Sequence, residues 1–412
     1  MKLLHLAPIL YSLPLSSART LLLNRRPRSD IPNTHGTMLL ATDGGKNFDI
    51  DVTVGADNQP FKLLVDTGSS DTYIMRDSFT CINATSNLVI PEENCNYGPE
   101  TYTPSSSYEE IPGETFGVQY GAGRASGVMA YETITIANIT VRAKLAIADT
   151  SEPMGDGVNN GLLGLGYPSL TSAHPGKTVP NDTYFFNRAV YSPVFNTMYE
   201  QGLVEPYFSI ALAHTTRNRT STFGGYLGLG ELPPVERKGE FTTVPVEIMN
   251  NIPANFTSNK RQRAYWAFTV KGVEYGTAAE AENDTLTTDD NPWQVFVDTG
   301  NDFSILPAAV VDPVNARFSP PAVWKEDLNI YVVDCDAQAP VFGVKIGDQT
   351  FYHAPEDLIY DMGHGICASA LVASEKVGMV GNVVLNVLGV PFHKNVVGVF
   401  DFGKNEMRYA QV

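Results

Sequence analysis

The segment Lys62-Leu63-Leu64-Val65-Asp66-Thr67-Gly68-Ser69-Ser70 is answered in the second half of the chain by Gln294-Val295-Phe296-Val297-Asp298-Thr299-Gly300-Asn301-Asp302. One device used twice, an apolar strand ending on Asp-Thr-Gly, predicts two related lobes that each close a strand with the same turn. An Asp at the end of an apolar strand is partly desolvated, so the turn must supply donors for its carboxylate. Thr67 and Thr299 bring hydroxyls, and Gly68 and Gly300 permit a tight turn that leaves backbone N–H groups close by. If the two turns meet across a two-fold axis, Asp66 and Asp298 cannot both ionise and must share one proton. The ionised member can then take a proton from a bound water while its partner donates to a developing oxyanion, with no covalent enzyme intermediate. A single Asp-Thr-Gly is more often an ordinary strand-to-turn step. Two copies with matching apolar strands point to a dyad.

A chain of 412 residues is long enough for two cores. Low charge content, 18%, combined with 35 Gly and 27 Pro favours β-rich globular structure over coiled coil or disorder. Short apolar or alternating runs bounded by turn residues, among them 48–54, 61–65, 131–136 and 266–270, read as strands of an all-β protein. Helices are expected only at 193–201 and near 307–311. Each Asp-Thr-Gly is followed downstream by an apolar-apolar-Gly triplet, Leu162-Leu163-Gly164 in the first half and Met379-Val380-Gly381 in the second. Polar stretches at 171–191 and 250–264 read as surface insertions.

The formal net charge of −17 argues against a nucleic-acid partner, because like charge opposes phosphate attraction. Residues 1–18 combine Lys2, a short Pro-interrupted apolar run and Ser16-Ser17-Ala18, the pattern of a secretory signal peptide. Residues 19–37, with Arg25, Arg26 and Arg28, are expected to be a short propeptide or a disordered arm. No later run suggests a membrane anchor. The 4 Cys fall into two sequence-local couples, Cys81 with Cys95 and Cys335 with Cys367, and suit an oxidising compartment better than a metal site. Asn83, Asn138, Asn181, Asn218, Asn255 and Asn283 each open a glycosylation sequon. A secreted, extracellular monomer without metal or other cofactor is the expectation.

From about residue 38 to the C-terminus the sequence resembles the pepsin-like aspartic peptidases. The resemblance rests on both Asp-Thr-Gly triplets, on Val118-Gln119-Tyr120-Gly121-Ala122-Gly123, on 160–169, on Tyr265-Trp266-Ala267-Phe268-Thr269 and on Val397-Gly398-Val399-Phe400-Asp401-Phe402. It implies a bilobal all-β fold with a central cleft, an N-terminal lobe at 38–214 and a C-terminal lobe at 215–412. By the same resemblance Asp66 and Asp298 are the catalytic pair, which would share its proton as in aspartic proteases generally. Ser69 would bond the outer oxygen of Asp66, and Thr67 and Thr299 would link the two loops. Tyr120 would be the tyrosine of a flap hairpin that closes over polypeptide substrate, and Cys335 and Cys367 would form the C-terminal-lobe disulfide.

Three positions depart from the family pattern. Asn301 stands where Ser or Thr supports the second Asp, Asp302 brings a third carboxylate toward the cleft, and Tyr73 replaces a Trp that steadies the flap tyrosine. Ala122 at the flap tip has no group to pair with a basic side chain, so large apolar residues are expected on both sides of the cleaved bond. The competing reading is a catalytically inactive binding or inhibitor protein of the same fold. A glycosidase with paired carboxylates is a poorer match, since its chemistry does not require duplicated Asp-Thr-Gly turns.

Overall fold

Alternating β-branched and aromatic residues make strands of nearly every expected run, and a computed structural model describes residues 35–176, 187–215, 221–377 and 383–412. The expected signal peptide, Asn181, Asn218 and the triplet Met379-Val380-Gly381 lie outside these residues. The first strand, Gly36–Thr42, begins just inside the segment expected to be an arm, and it pairs with both Asn47–Val54 and Ser221–Leu229.

A 15-stranded sheet carries most of the first half and also takes in the chain's end. Val396–Asp401 pairs with Tyr207–Leu212, and Glu406–Gln411 pairs with Lys238–Pro245. Three smaller sheets of five, four and four strands complete the all-β bilobal architecture. The expected helices span Val194–Glu200 and Ala308–Asn315. The first gives way to Gly202, whose φ of 73° suits a residue without Cβ.

The sequence echo is also an echo of topology. Gln59–Asp66 lies parallel to Gly161–Gly164, with Asp66 opposite Gly164, and Gly161–Gly164 pairs antiparallel with Thr72–Ile82. In the second half Trp293–Val297 lies parallel to Val387–Leu388, which pairs antiparallel with Ser304–Leu306. The structural counterpart of Leu162-Leu163-Gly164 is therefore Val387-Leu388-Gly389, a few residues beyond the triplet expected from sequence. Both glycines are required by close approach. A Cβ on Gly164 would meet the backbone of Ser70 and Asp71, and one on Gly389 would collide with the carbonyls of Asn301 and Phe303.

Trp266 fastens the second half to the loop beneath Asp66. Its ring is fully buried between Tyr167, Phe208, Phe400 and Phe402, at centroid distances of 4.7 to 5.7 Å. The indole N–H donates to the Leu165 carbonyl at 2.9 Å, while the Leu165 N–H donates to the Asp66 carbonyl at 2.8 Å. Disulfides join Cys81 to Cys95 and Cys335 to Cys367.

Glu132 holds the 102–107 loop to the sheet. Its buried carboxylate accepts from the hydroxyls of Tyr102 at 2.6 Å, Ser105 at 2.8 Å and Ser107 at 2.5 Å, and from the Thr133 N–H at 2.6 Å. Burial alone would push this carboxyl up, yet the donors outweigh it and hold it below the usual glutamate range. Glu132→Gln replaces an acceptor oxygen by an N–H2 facing donors. The expected cost is roughly 1–3 kcal/mol in urea unfolding at neutral pH, shrinking as the pH falls and Glu132 itself protonates. A variant as stable as the wild type at neutral pH would refute this role.

Candidate active site

The two Asp-Thr-Gly turns are brought face to face and laced together by their threonines. Thr67 N–H donates to Thr299 Oγ1 at 3.2 Å and Thr299 N–H to Thr67 Oγ1 at 3.0 Å. Each hydroxyl then donates across the pseudo-two-fold, Thr67 to the Val297 carbonyl at 3.2 Å and Thr299 to the Val65 carbonyl at 2.7 Å. Both threonines are fully buried, so this reciprocal lattice, sealed from water, fixes the spacing of the carboxyls above it.

Those carboxyls are held symmetrically on their inner sides. Gly68 N–H donates to Asp66 Oδ1 at 2.7 Å, and Gly300 N–H to Asp298 Oδ1 at 2.8 Å. Each glycine also leaves room for the opposite carboxyl. A Cβ on Gly68 would fall on the Asp298 carboxyl, and one on Gly300 would come within 2.9 Å of Asp66 Oδ1. Burial, the charge of Asp66 and a hydrogen bond between the two carboxyls push Asp298 well above the usual carboxylate range, against the opposing Gly300 N–H. Asp298 thus keeps its proton to higher pH than an ordinary aspartate.

The outer sides differ. The Ser69 hydroxyl donates to Asp66 Oδ2. The side chain of Asn301 turns instead to its own backbone, its Oδ1 accepting from the Phe303 N–H at 3.2 Å, and among the described residues no hydrogen bond links it to Asp298. Asp302 accepts from the Tyr360 hydroxyl at 2.6 Å and borders a cavity of about 500 Å³ shared with Asp43, Lys46, Tyr360 and Lys394. Burial raises Asp302 to about 6, and its charge adds to the upward push on Asp298.

Above the pair, Glu109–Gln119 and Arg124–Ile136 form a hairpin whose tip is Tyr120-Gly121-Ala122-Gly123, closed by a bond from the Tyr120 N–H to the Gly123 carbonyl at 2.7 Å. Gly121 and Ala122 are exposed, while the Tyr120 ring rests on the apolar cluster that contains Tyr73, Phe116 and Tyr191. Tyr73 lies 5.6 Å from Phe116, and its hydroxyl is engaged by Tyr97, not by Tyr120.

The pattern described as eukaryotic aspartyl protease matches residues 47–412. The chain belongs to the eukaryotic aspartyl protease family. A probable aspartic-type endopeptidase of Aspergillus fumigatus is 38% identical over 394 residues, 94% of this chain and 82% of that relative. Vacuolar protease A of Neurospora crassa is 28% identical, covering 87% of this chain and 77% of that protein. The crystal structure of an aspartic proteinase from Irpex lacteus superposes with a TM-score of 0.66 over 92% of this chain and 97% of that one, at 19% identity.

In this aspartyl protease several groups beside the dyad had not been singled out from sequence. Tyr265 packs on Phe296 with ring centroids 4.4 Å apart and planes tilted by 36°, and burial with the nearby charges of Asp298 and Asp66 raises its hydroxyl to about 12, against the Arg188 charge. Asp71 is buried close to the flap and binds Tyr191, 120 residues away, at 2.7 Å. Turn motifs carry no signal of such long-range partners.

Proposed function

We propose that this aspartic endopeptidase is a secreted, acid-active enzyme in which Asp66 and Asp298 activate a water for peptide-bond hydrolysis. The observation that carries the reading is the facing of two hydrogen-bonded carboxyls, one pushed strongly toward its protonated form. With one proton between them, the ionised carboxylate takes a proton from water as its oxygen attacks the peptide carbonyl, and the protonated partner donates to the carbonyl oxygen. The resulting tetrahedral species collapses as a proton passes to the departing amine, which returns the dyad to one shared proton.

Acid operation is favoured by the wider chemistry of the chain. Burial holds Asp49 near 7 and Asp302 near 6, so these carboxyls stay protonated well above the usual aspartate range. His214, whose Nδ1 lies 2.8 Å from Asp357 Oδ2, is raised by that bond and pairs best when charged. Secretion is supported by two disulfides and by exposed sequon asparagines at Asn83, Asn138 and Asn283. The uncharged flap tip at Ala122 favours large apolar residues on both sides of the cut.

The test is hydrolysis of a denatured protein across about pH 3 to 7, with and without a statine-type transition-state analogue. Cleavage should be strongest on the acid side, be blocked by the analogue and fall between large apolar residues. Insensitivity to the analogue would sink the mechanism, and a cleavage profile dominated by Lys before the cut would refute the specificity.

A further inference from the structure

Two buried polar atoms beside the dyad make no hydrogen bond: Oδ2 of Asp71 and the hydroxyl of Tyr120. Buried polar atoms are nearly always paired in folded proteins, so two orphans in one neighbourhood ask for a common cause. Asp71 itself is firmly fixed. It is 1% exposed, and its Oδ1 accepts from the Ser172 N–H at 2.9 Å and the Tyr191 hydroxyl at 2.7 Å. Those two bonds set the plane of the carboxyl and leave Oδ2 without a hydrogen bond, with the Ser172 hydroxyl and the Arg188 charge nearby.

Tyr120 shares this neighbourhood. Its ring rests on the cluster that includes Tyr191 and Tyr73, and after burial itself the charge of Asp71 is the strongest influence on its hydroxyl, ahead of that of Asp66. Tyr73 does not serve the hydroxyl, being engaged with Tyr97, and the nearby Ser69 hydroxyl already gives its proton to Asp66 Oδ2. A phenol O–H and a carboxylate oxygen are complementary, and a charge-assisted bond between them is short and strong. The hairpin that carries Tyr120 has an exposed tip, whereas Asp71 is rooted at the start of Thr72–Ile82 in the sheet. One partner sits at a solvent-exposed tip, and the other is fixed in the sheet.

We propose that Asp71 is a positioning residue for the flap, its Oδ2 accepting the hydroxyl proton of Tyr120 when the hairpin closes over a bound polypeptide. The inference rests on the reading above that this hairpin covers substrate. Asp71 touches no reacting atom and acts only through Tyr120.

Double-mutant cycles test it, with kcat and KM measured on a quenched fluorogenic peptide. Asp71→Leu removes the acceptor, and Tyr191→Phe removes one of the two bonds that aim it. Each is expected to lower kcat, by about 10-fold for Asp71→Leu and about 3-fold for Tyr191→Phe, and each should lose its effect in a Tyr120→Phe background because the groups act as one unit. Losses that multiply in the Tyr120→Phe background overturn the proposal. If Asp71→Leu does not fold, the Tyr191→Phe and Tyr120→Phe cycle decides alone. The same cycle is read as affinity for a statine-type analogue by calorimetry, which needs no turnover. Absent hydrolysis by the wild type would count against the peptidase reading, while independent effects on analogue affinity would count against Asp71.

Discussion

Asp66→Asn and Asp298→Asn should each lower hydrolysis of a denatured protein by roughly 10³-fold or more, with the double variant no worse than the poorer single one. The size follows from the single proton that the pair holds. An amide in either place cannot exchange a proton with water or with the departing amine, so the remaining carboxyl is left without a partner of the opposite role. The fold should survive, because Asn keeps an oxygen for the Gly68 or Gly300 N–H, and the threonine lattice beneath does not use the carboxyls. Thermal midpoints within a few degrees of the wild type are therefore part of the expectation. Residual activity above about a tenth of the wild type in either variant would place the base or the acid elsewhere. Losses in the two singles that simply multiply would mean that the carboxyls act separately and not as a dyad.

The dyad was legible because its chemistry is written locally and twice. Each Asp carries its Thr and Gly with it, so the groups that hold the carboxylate are sequence neighbours, and only the meeting of the turns had to be inferred. The third member of each motif was half legible. Leu162-Leu163-Gly164 was found, but its counterpart Val387-Leu388-Gly389 has no feature beyond apolar residues and a glycine, and Met379-Val380-Gly381 fits the same description. Only strand pairing separates them. Asp302 was recognisable as a carboxylate near the cleft, whereas its partner Tyr360 lies 58 residues away and could not be named. Asn301 was expected from donor chemistry to face Asp298, but its short side chain caps its own turn at Phe303, a local competition that propensity alone does not resolve. Asp49 was invisible for a different reason. In Phe48-Asp49-Ile50-Asp51-Val52 the alternation would turn both aspartates to solvent, yet Asp51 is exposed and Asp49 is fully buried, because Thr42 and Asp156 lie against it.

Asp49 yields the largest stability effect expected outside the dyad. The Thr42 hydroxyl lies 2.9 Å from Asp49 Oδ2 and 2.6 Å from Asp156 Oδ2, and a hydroxyl has one proton to give. Asp156 is the better supplied carboxylate, its Oδ1 receiving the N–H groups of Val158 and Asn159 at 2.8 Å each and its Oδ2 the Asn47 amide at 3.2 Å. Asp49, with Oδ1 unpaired, must then be the protonated member, donating to Thr42 while Thr42 donates to Asp156. Burial first and the Asp156 charge second raise Asp49 from 3.8 to about 7, with Lys62 opposing and Asp51 adding slightly. A folded value above the unfolded one means that the folded state holds the proton longer. The stabilisation is thus complete below about pH 4 and is lost as pH rises through about 7, with a ceiling of about 4 kcal/mol at 1.36 kcal/mol per pKa unit. His214 loses its pairing in the same direction, while the buried neutral His353 and His393, lowered to about 4 and about 3, run the opposite way. A comparison with Asp49→Asn cancels all three. The Asn amide reproduces the protonated carboxyl by donating to Thr42 at every pH, so the variant should match the wild type near pH 4 and exceed it by about 5 °C or more in thermal midpoint near pH 7.5. Midpoints of the two proteins that fall in parallel across that range would show that the alkaline loss lies elsewhere and that Asp49 is not its proton.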